Sequence, residues 1–311
     1  DLWGNTLTGT IPSTLSKLQL LTYLDLSYNH LTGTIHDSLG ELTNLLHLWV
    51  LNNNLTGSIP ATLSRLQSVN FFNLGYNHLT GPLLESLTTL TNISGLNLHR
   101  NQFTGPILPG LSNLPGITDL FLYGNQLSGS IPDSLTKITS LRVLYAQLNR
   151  LSGTIPETIS NLQHLLILSL HSNNFTGSIP STIGRLTGLT YLDLKNNSLT
   201  GTIPDTISKL SNLVRLRLSK DNLSGSIPSG IGSLTSLTEL YLANNSLSGT
   251  IPDSFGKLST LGSLYLDGNQ LTGTIPATLG SLQFLDSMNL SSNSLSGSMP
   301  QSFARLINLK E

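Results

Sequence analysis

The chain has 311 residues, of which 38% are hydrophobic and only 10% are charged, and its formal net charge at pH 7 is -1. This near-neutral balance gives no reason to expect a nucleic-acid partner or an anionic membrane surface. The chain contains no cysteine, and no run approaches the roughly 18 consecutive apolar residues of a transmembrane helix.

A tripeptide of Leu or Phe, then Thr or Ser, then Gly returns along the chain at intervals of 24 residues, with no insertion or deletion. Self-similarity at a fixed period predicts a protein built from stacked, equivalent units. The tripeptide begins at thirteen positions: Leu7, Leu31, Leu55, Leu79, Phe103, Leu127, Leu151, Phe175, Leu199, Leu223, Leu247, Leu271 and Leu295.

Each unit begins with a short predicted strand, as in the unit 21–44, LTYLDLSYNHLTGTIHDSLGELTN. Alternate residues of a strand face opposite sides, so one set points into the core and the other points outward. Stacking the units predicts a parallel sheet with about 4.8 Å between strands, whose outer face is concave and exposed to solvent. In this unit the predicted core residues are Leu24, Leu26, Ile35, Leu39 and Leu42, and the outward ones are Tyr23, Asp25 and Ser27.

The ninth position of the unit is Asn in twelve of the thirteen repeats. An amide both donates and accepts hydrogen bonds, so we interpret this row as structural, satisfying backbone groups where the chain leaves the sheet. The exception is Asp221, which only accepts when it is ionised. We predict a local weak point there unless a proton or a cation compensates. The twelve are Asn5, Asn29, Asn53, Asn77, Asn101, Asn125, Asn149, Asn173, Asn197, Asn245, Asn269 and Asn293.

The second half of each unit carries Gly and, in most repeats, Pro. The Gly of the tripeptide suits a tight backbone position. The Pro after Ile blocks helix continuation and predicts a turn on the convex side. His36, Leu84 and Leu108 replace this Pro in three repeats.

The first half of the unit, L-xx-L-x-L-xx-N-x-L, is the leucine-rich-repeat signature. The second half, T/S-G-x-I-P-xx-L-xx-L, resembles the plant-specific 24-residue class found in receptor-kinase ectodomains and polygalacturonase-inhibiting proteins. The resemblance covers essentially all 311 residues. It implies an α/β repeat solenoid, a leucine-rich-repeat superhelix with a concave parallel β-sheet, an irregular or 3₁₀ convex side, and a second short row of strands at T/S-G-x-I-P. We expect residues 1–311 to form a single solenoid domain of about 13 repeats.

Outward-facing strand positions carry large apolar side chains where a face that met only water would be polar. Clustered exposed aromatics often mark a contact site, although scattered exposed apolar residues are also ordinary. We predict a ligand-binding surface of aromatic residues. Its predicted members are Trp49, Phe71, Phe121, Tyr123 and Tyr145, together with Tyr241 and with the apolar residues Leu46, Leu51, Val143, Leu148 and Ile167.

A basic zone contains Arg215-Leu216-Arg217, with Lys195 and Lys220 nearby. The two guanidinium groups lie on one face, about 6.7 Å apart along the strand, and can hold a carboxylate bidentately. The pair resembles the R-x-R motif of plant peptide-hormone receptor kinases, which implies capture of a peptide C-terminal carboxylate by Arg215 and Arg217. The alternative is internal ion pairing with Glu239 and Asp193 on the neighbouring strands.

Seven N-x-S/T sequons are candidates for glycosylation if the protein is secreted, which the resemblance implies by placing it outside the cell or on its surface. The alternative is chance, because the repeat is rich in Asn, Ser and Thr. Glycans at Asn196, Asn244 or Asn289 would lie on the concave face and exclude large partners. The candidates are Asn54, Asn92, Asn174, Asn196, Asn222, Asn244 and Asn289.

No catalytic set, phosphate loop or metal-binding cluster is evident, so we expect neither enzyme activity nor a cofactor. His99 and His171 share a row but lie three strands apart, roughly 14 Å by strand spacing, which is too far for one metal ion.

The most favoured function is a receptor-like ectodomain that binds a peptide or protein, and a co-receptor is a further candidate partner. The alternatives are a secreted inhibitor or defence protein resembling polygalacturonase inhibitors, an extracellular scaffold, and an ice-binding protein with Thr-Gly-Thr arrays that Pro82 and Pro106 interrupt. Neither end resembles the cap that a solenoid needs, so we expect a fragment of a longer protein.

Overall fold

The computed structural model describes residues 1–310 and divides into two compact units, Asp1–Ser152 and a second unit that begins at Gly153. Each unit is a stack of the predicted repeats, so the leucine-rich-repeat fold is confirmed in both. The expectation of a single domain over the whole chain stays a prediction. No helix in residues 1–310 is long and apolar enough to cross a membrane.

The first unit contains a parallel sheet of three-residue strands, the front strands. Equivalent residues of successive repeats pair in register, for example Leu24 with Leu48 and Asp25 with Trp49. The constant 24-residue period specifies this register, because a slip by one residue would turn the core leucines to the other face. The front strands of this unit are Tyr23–Asp25, His47–Trp49, Phe71–Asn73, Gly95–Asn97, Asp119–Phe121 and Val143–Tyr145.

After each front strand the chain forms a tight turn, usually a second short strand, and then a 3₁₀ helix. Gly33 of the tripeptide has φ 76°, a conformation that glycine adopts at no steric cost. Where His36 replaces Pro, its Nδ1 accepts a hydrogen bond from Ser38 N at 3.1 Å and caps the helix. The back strands are Thr56–Gly57, His78–Pro82, Gln102–Gly105, Gln126–Gly129 and Arg150–Thr154. The 3₁₀ helices are Ser13–Lys17, Asp37–Glu41, Ala61–Arg65, Glu85–Thr89, Pro109–Asn113 and Leu135–Lys137.

The second unit repeats this arrangement with the same in-register parallel pairing, for example Asp193 with Arg217. Its front strands are Ile167–Ser169, Tyr191–Asp193, Arg215–Arg217, Glu239–Tyr241, Ser263–Tyr265 and Ser287–Asn289. Its back strands are Asn174–Ser178, Ser198–Thr200, Ser224–Ser226, Ser246–Thr250 and Gln270–Thr272. Its 3₁₀ helices are Glu157–Asn161, Ser181–Arg185, Asp205–Lys209, Ser229–Ser233, Asp253–Lys257, Ala277–Ser281 and Gln301–Arg305.

The core of each unit is a stack of leucine, isoleucine and phenylalanine side chains between the front strands and the 3₁₀ helices. All five predicted core residues of the unit 21–44 are buried, and Leu48, Leu63 and Phe72 of the next repeats are almost completely so. Burying one such side chain stabilises the fold by about 1.5–3 kcal/mol. A hydrophobic core spread evenly over the repeats therefore holds each unit together.

The asparagine row has the structural role that was predicted. In a representative repeat, Oδ1 of Asn53 accepts a hydrogen bond from Leu31 N at 3.0 Å, while its Nδ2 donates to the carbonyls of Leu26 at 2.9 Å and Val50 at 3.2 Å. One amide thus links its own turn to the preceding repeat. These backbone groups are buried, and leaving one without a partner would cost about 1–3 kcal/mol.

Asp221 occupies the same position but lacks the donor of an amide. One of its carboxyl oxygens accepts from Leu199 N at 3.0 Å, and the other has no hydrogen-bond partner among residues 1–310. Burial is the main cause that raises the pKa of Asp221 to about 7; hydrogen bonds from the Leu199 and Asn197 backbone oppose the shift, and the charge of Asp193 adds to it. The proton therefore compensates below about pH 7 and only in part at pH 7, where the carboxyl group is about half ionised.

Replacing Asp221 by Asn is expected to stabilise the protein in a pH-dependent way. The carboxyl pKa is higher in the folded state than its ordinary 3.8, so the stabilising proton is fully bound below pH 4 and is lost as the pH rises through 7. Asp221→Asn should gain little at pH 4 and about 1–3 kcal/mol at pH 8, measured by urea denaturation. The reciprocal Asn245→Asp should lose stability over the same range. A gain from Asp221→Asn that is equal at both pH values would contradict this account.

Candidate ligand-binding surfaces

Four side chains on the front face of the first unit form what we call the first aromatic cluster: Tyr23, His47, Trp49 and Phe71. Trp49 is at its centre, with ring centroids 5.4 Å from Tyr23, 5.6 Å from His47 and 6.1 Å from Phe71, all edge-on. This is the geometry that aromatic pairs prefer. Trp49 Nε1 and His47 Nδ1 have no hydrogen-bond partner in the described part of the chain.

Phe71 lies against the sheet because the next strand offers it a glycine. A Cβ atom built on Gly95 would come within 2.1 Å of Phe71 Cε2 and 2.3 Å of Cδ2, whereas real non-bonded carbons stay about 3.5–4.0 Å apart. Gly75 similarly makes room for His99, whose ring atoms lie 2.6 Å from the corresponding Cβ position. Gly95 and Gly75 thus determine where the rings of Phe71 and His99 lie on the sheet.

A second aromatic cluster consists of His99, Phe121, Tyr123 and Tyr145. His99 stacks on Tyr123 with centroids 4.5 Å apart, Phe121 stacks on Tyr145 at 5.6 Å, and Tyr123 meets Tyr145 edge-on at 6.1 Å. Burial, and secondarily the charge of Arg100, lowers the pKa of His99 to about 4. The ring is therefore neutral above that pH and behaves as part of an apolar surface.

The predicted aromatic surface is thus present in the first unit as two packed clusters. Trp49, Phe71, Phe121, Tyr123 and Tyr145 are all half-buried, because each ring covers part of its neighbour. Leu46 and Leu148 are exposed, Leu51 and Val143 are half-buried, and Ile167 lies in the second unit. Whether these residues bind a ligand stays a prediction.

The expectation that outward positions are exposed to solvent is wrong at the central position of three strands, and also at Ser27, which is buried. Asp25, Ser169 and Asp193 are almost completely buried, since larger side chains of adjacent positions lie over them. Asp25 is held by Tyr23 Oη, which donates at 3.3 Å, and by Ser27 N, which donates at 2.8 Å. A short carboxylate at the centre of the strand is therefore a buried acceptor.

The basic zone of the second unit is a network of ion pairs. Arg217 contacts Glu239 at 2.5 Å and Asp193 at 3.6 Å, and Arg215 Nε contacts Glu239 at 3.0 Å. Lys195 lies 3.9 Å from Asp193. The internal pairing that sequence analysis weighed against carboxylate capture is therefore present.

The two arginines differ in how firmly they are held. Arg217 also lies over the rings of Tyr191 and Tyr241, at 5.7 Å and 5.2 Å from their centroids. Burial by itself would lower the pKa of Arg217, but the hydrogen bond to Glu239 and the charges of Tyr191, Glu239 and Asp193 raise it overall. The Arg217 side chain is 21% exposed and that of Arg215 is 50% exposed. Arg215 is accordingly the arginine with surface left for a ligand.

A cavity of about 570 Å³ opens on the same unit beside Tyr241 and is lined by Lys195, Lys220, Tyr265 and Asp267. Tyr241 and Tyr265 pack edge-on with centroids 4.8 Å apart. The Asp267 carboxylate has one buried oxygen without a hydrogen-bond partner in residues 1–310. Three sequon residues also line it: Asn196, Asn244 and Asn289.

The sequon asparagines are accessible in most cases, and their glycosylation stays a prediction. Asn54, Asn92, Asn174, Asn196, Asn222 and Asn244 are exposed, and Asn289 is half-buried. Asn92 Nδ2 donates to Gln67 O at 2.8 Å, a bond between repeats that a glycan would disturb. No group of His, Asp and Glu in residues 1–310 could hold a metal ion.

A row of residues in the left-handed conformation lies one position before the asparagine ladder and was not predicted from the sequence. Its occupants are Tyr28, Asn52, Tyr76, Arg100, Leu148, Ser172, Asn196, Lys220, Asn244 and Ser292, with Gly4, Gly124 and Gly268 at equivalent positions. The frequency of Asn and Gly there is a signal that could have found it. The row forms one flank of the sheet.

The leucine-rich repeat region family matches residues 125–271, and the leucine-rich repeat family matches residues 20–42, 44–66, 92–114 and 284–306. A leucine-rich-repeat protein of Leptospira interrogans has a structure similar to this chain, with 31% identity and a TM-score of 0.82 over 98% of this chain and 75% of that one. The chain belongs to the leucine-rich-repeat family.

Plant receptor ectodomains are among the similar structures. The structure of PEPR1 with AtPEP1 has 37% identity and a TM-score of 0.94, over 100% of this chain and 44% of that one. The plant peptide hormone receptor RGFR1 in complex with RGF2 has 30% identity and a TM-score of 0.78, over 98% of this chain and 61% of that one. The chain thus spans about half the length of these receptors. No protein with a curated description matches it in sequence.

Substituting Gly95 by Ala is expected to displace the Phe71 ring from the sheet, because the new Cβ would overlap it. Overpacking of this kind costs about 1–3 kcal/mol. Trp49 fluorescence reports the change in a Trp3→Phe background. Gly116→Ala is the control, since its Cβ would lie 3.5 Å from its nearest neighbour, Ile93 O. Identical spectra for the parent and Gly95→Ala would contradict the packing.

Removing Arg217 is expected to cost more stability than removing Arg215. Arg217→Ala leaves the fully buried Asp193 carboxylate without its guanidinium, which should cost about 2–3 kcal/mol, somewhat below the value for a completely buried pair. Arg215→Ala removes a half-exposed contact and should cost less than about 1 kcal/mol. Urea denaturation at pH 7 measures both. Equal losses in the free energy of unfolding would contradict the prediction that Arg217 contributes more to stability than Arg215.

Proposed function

We propose that the chain is an extracellular, receptor-like ligand-recognition module without catalytic activity, and that the second unit binds an extended peptide through its free C-terminal carboxylate. The proposal rests on the difference in exposure and in ion pairing between the two arginines. Arg217 is enclosed by Asp193, Glu239 and two tyrosines, whereas Arg215 has one acidic contact and a half-exposed side chain. Arg217 positions Glu239, and Arg215 meets the ligand.

The charge balance around this surface favours an anionic ligand group. Its cations are Lys195, Arg215, Arg217 and Lys220, and its carboxylates are Asp193, Glu239 and Asp267. One positive charge is left over, which one α-carboxylate would neutralise. A guanidinium is well suited to this because it offers paired donors to a carboxylate.

The adjacent cavity favours a peptide over a simple anion. Asp267 lines the cavity, and a carboxylate there is an acceptor for a backbone N–H of a ligand. Tyr241 and Tyr265 form an aromatic wall beside it. Glycans on Asn196, Asn244 or Asn289 would narrow the cavity, so a slender extended chain fits better than a folded partner.

The relatives support a peptide ligand and an extracellular site. RGFR1 is a peptide hormone receptor solved with RGF2, and PEPR1 was solved with AtPEP1. The aromatic clusters of the first unit offer a further apolar contact surface, of the kind that partners bury at interface hot spots. A co-receptor or a protein ligand is the partner expected there.

The test is a library of extended peptides with free or amidated C-termini, measured by calorimetry on the whole chain. We expect at least one free-acid peptide to bind and its amide to bind at least tenfold more weakly, about 1.4 kcal/mol. Arg215→Gln should weaken the free acid by a similar factor and leave the amide unchanged. Arg185→Gln, which removes an exposed arginine on a 3₁₀ helix of the same unit, is the matched control.

Two results would overturn the peptide proposal. One is equal affinity for acid and amide. The other is an Arg215→Gln variant that binds the free acid as the parent does. In either case the arginines serve the sheet alone, and the search for a ligand moves to the aromatic clusters around Trp49 and Tyr145.

A further inference from the structure

The left-handed row of the first unit contains two tyrosines, Tyr28 and Tyr76, whereas Asn or Gly, which suit that conformation best, hold six of its thirteen positions along the chain. Tyr28 has φ 55° and Tyr76 has φ 54°. Asn52 lies between them in the stack, and Asn196, Asn244 and Gly268 take the same position in the second unit. A bulky residue in this conformation costs about 1–2 kcal/mol.

The two tyrosines are walls of one cavity, which we call the flank cavity. It measures about 460 Å³ and is lined by Tyr28, His30, Asn52, Asn54, Tyr76 and Arg100 among others. Both rings are open to solvent, with Tyr28 45% and Tyr76 50% exposed. Two strand spacings separate them, roughly 9.5 Å, which is about the length of two linked pyranose rings.

Each tyrosine is braced by another side chain. The Trp3 ring meets Tyr28 edge-on with centroids 5.7 Å apart. The Arg100 guanidinium lies over the Tyr76 ring, 5.4 Å from its centroid. Ordering exposed side chains before a ligand arrives reduces the entropy that binding must overcome. The flank cavity is therefore preorganised.

The chemistry of the lining favours a neutral, hydroxylated ligand. Among residues 1–310 no carboxylate lines the cavity, and the guanidinium of Arg100, which does line it, lies over the Tyr76 ring. Amides of Asn52 and Asn54 and imidazoles of His30 and His78 supply donors and acceptors. Flat rings beside neutral polar groups match a sugar, which presents an apolar C–H face and a rim of hydroxyls.

We propose that the flank cavity is a saccharide-binding site in which pyranose rings pack on Tyr28 and Tyr76. The sugar has two possible sources. Asn54 begins the sequon Asn-Leu-Thr and lines the cavity, so a glycan attached to it would start between the tyrosines. A free oligosaccharide could enter the same space. The first source rests on the proposed extracellular function; the second does not.

The first arm of the test uses the whole chain made in a bacterium, without N-glycans. It is titrated with neutral β-linked oligosaccharides of hexoses and N-acetylhexosamines, followed by NMR. At least one should bind saturably, and Tyr28→Asn/Tyr76→Asn should weaken it at least tenfold. Asn already occupies this position in Asn52, so the variant should fold. Ser292→Asn, at an exposed left-handed residue outside the cavity, should bind as the parent does.

The second arm uses the chain secreted from plant or insect cells. Asn174 and Asn222 occupy the same repeat position as Asn54, with no tyrosine in the left-handed row of their own or adjacent repeats. Endoglycosidase release, followed by mass spectrometry, should remove an Asn54 glycan at least fivefold more slowly than glycans at those two sites. The tyrosine double variant should abolish the difference.

Oligosaccharide binding that depends on the tyrosines, in the first arm, supports a site for a free saccharide. Slow release of the Asn54 glycan that depends on the tyrosines, in the second arm, supports a site for the attached glycan. The proposal is overturned if neither is seen, or if both persist in the double variant. The peptide test concerns the second unit, so either proposal can fail without the other.

Discussion

The structure depends on satisfying the backbone groups that are left buried where each repeat turns away from the front sheet. A strand of three residues cannot do this alone, and the asparagine at the ninth position does it by bonding to its own turn and to the repeat before. Because every amide reaches one repeat back, the ladder holds neighbouring repeats at a constant offset. The in-register pairing of side chains, on which all three proposed surfaces depend, follows from that offset.

Most of the fold could be predicted from periodicity alone. A 24-residue interval without a single insertion specifies which residues face the core, and the predicted core positions of the unit 21–44 are all buried. The asparagine row and the exception at Asp221 followed from counting donors and acceptors.

The candidate sites were less predictable, because they depend on side-chain size relative to adjacent repeats. Strand register predicted that Arg215 and Arg217 could pair with acidic residues of the neighbouring strands. It did not predict that the two arginines differ in exposure. The burial of Asp25 and Asp193 reflects the bulk of the side chains around them, which row-by-row assignment ignores. The flank cavity was missed because the left-handed row lies outside the strand pattern.

Phe71 rests on Gly95 of the next repeat, and His99 rests on Gly75 of the previous one. A ring and the glycine beneath it must therefore be retained together, although they lie in different repeats. Unequal crossing-over between such similar sequences would separate the partners whenever its junction fell between them. The unit that must be kept together in this part of the array is a run of two repeats, twice the length of the sequence period.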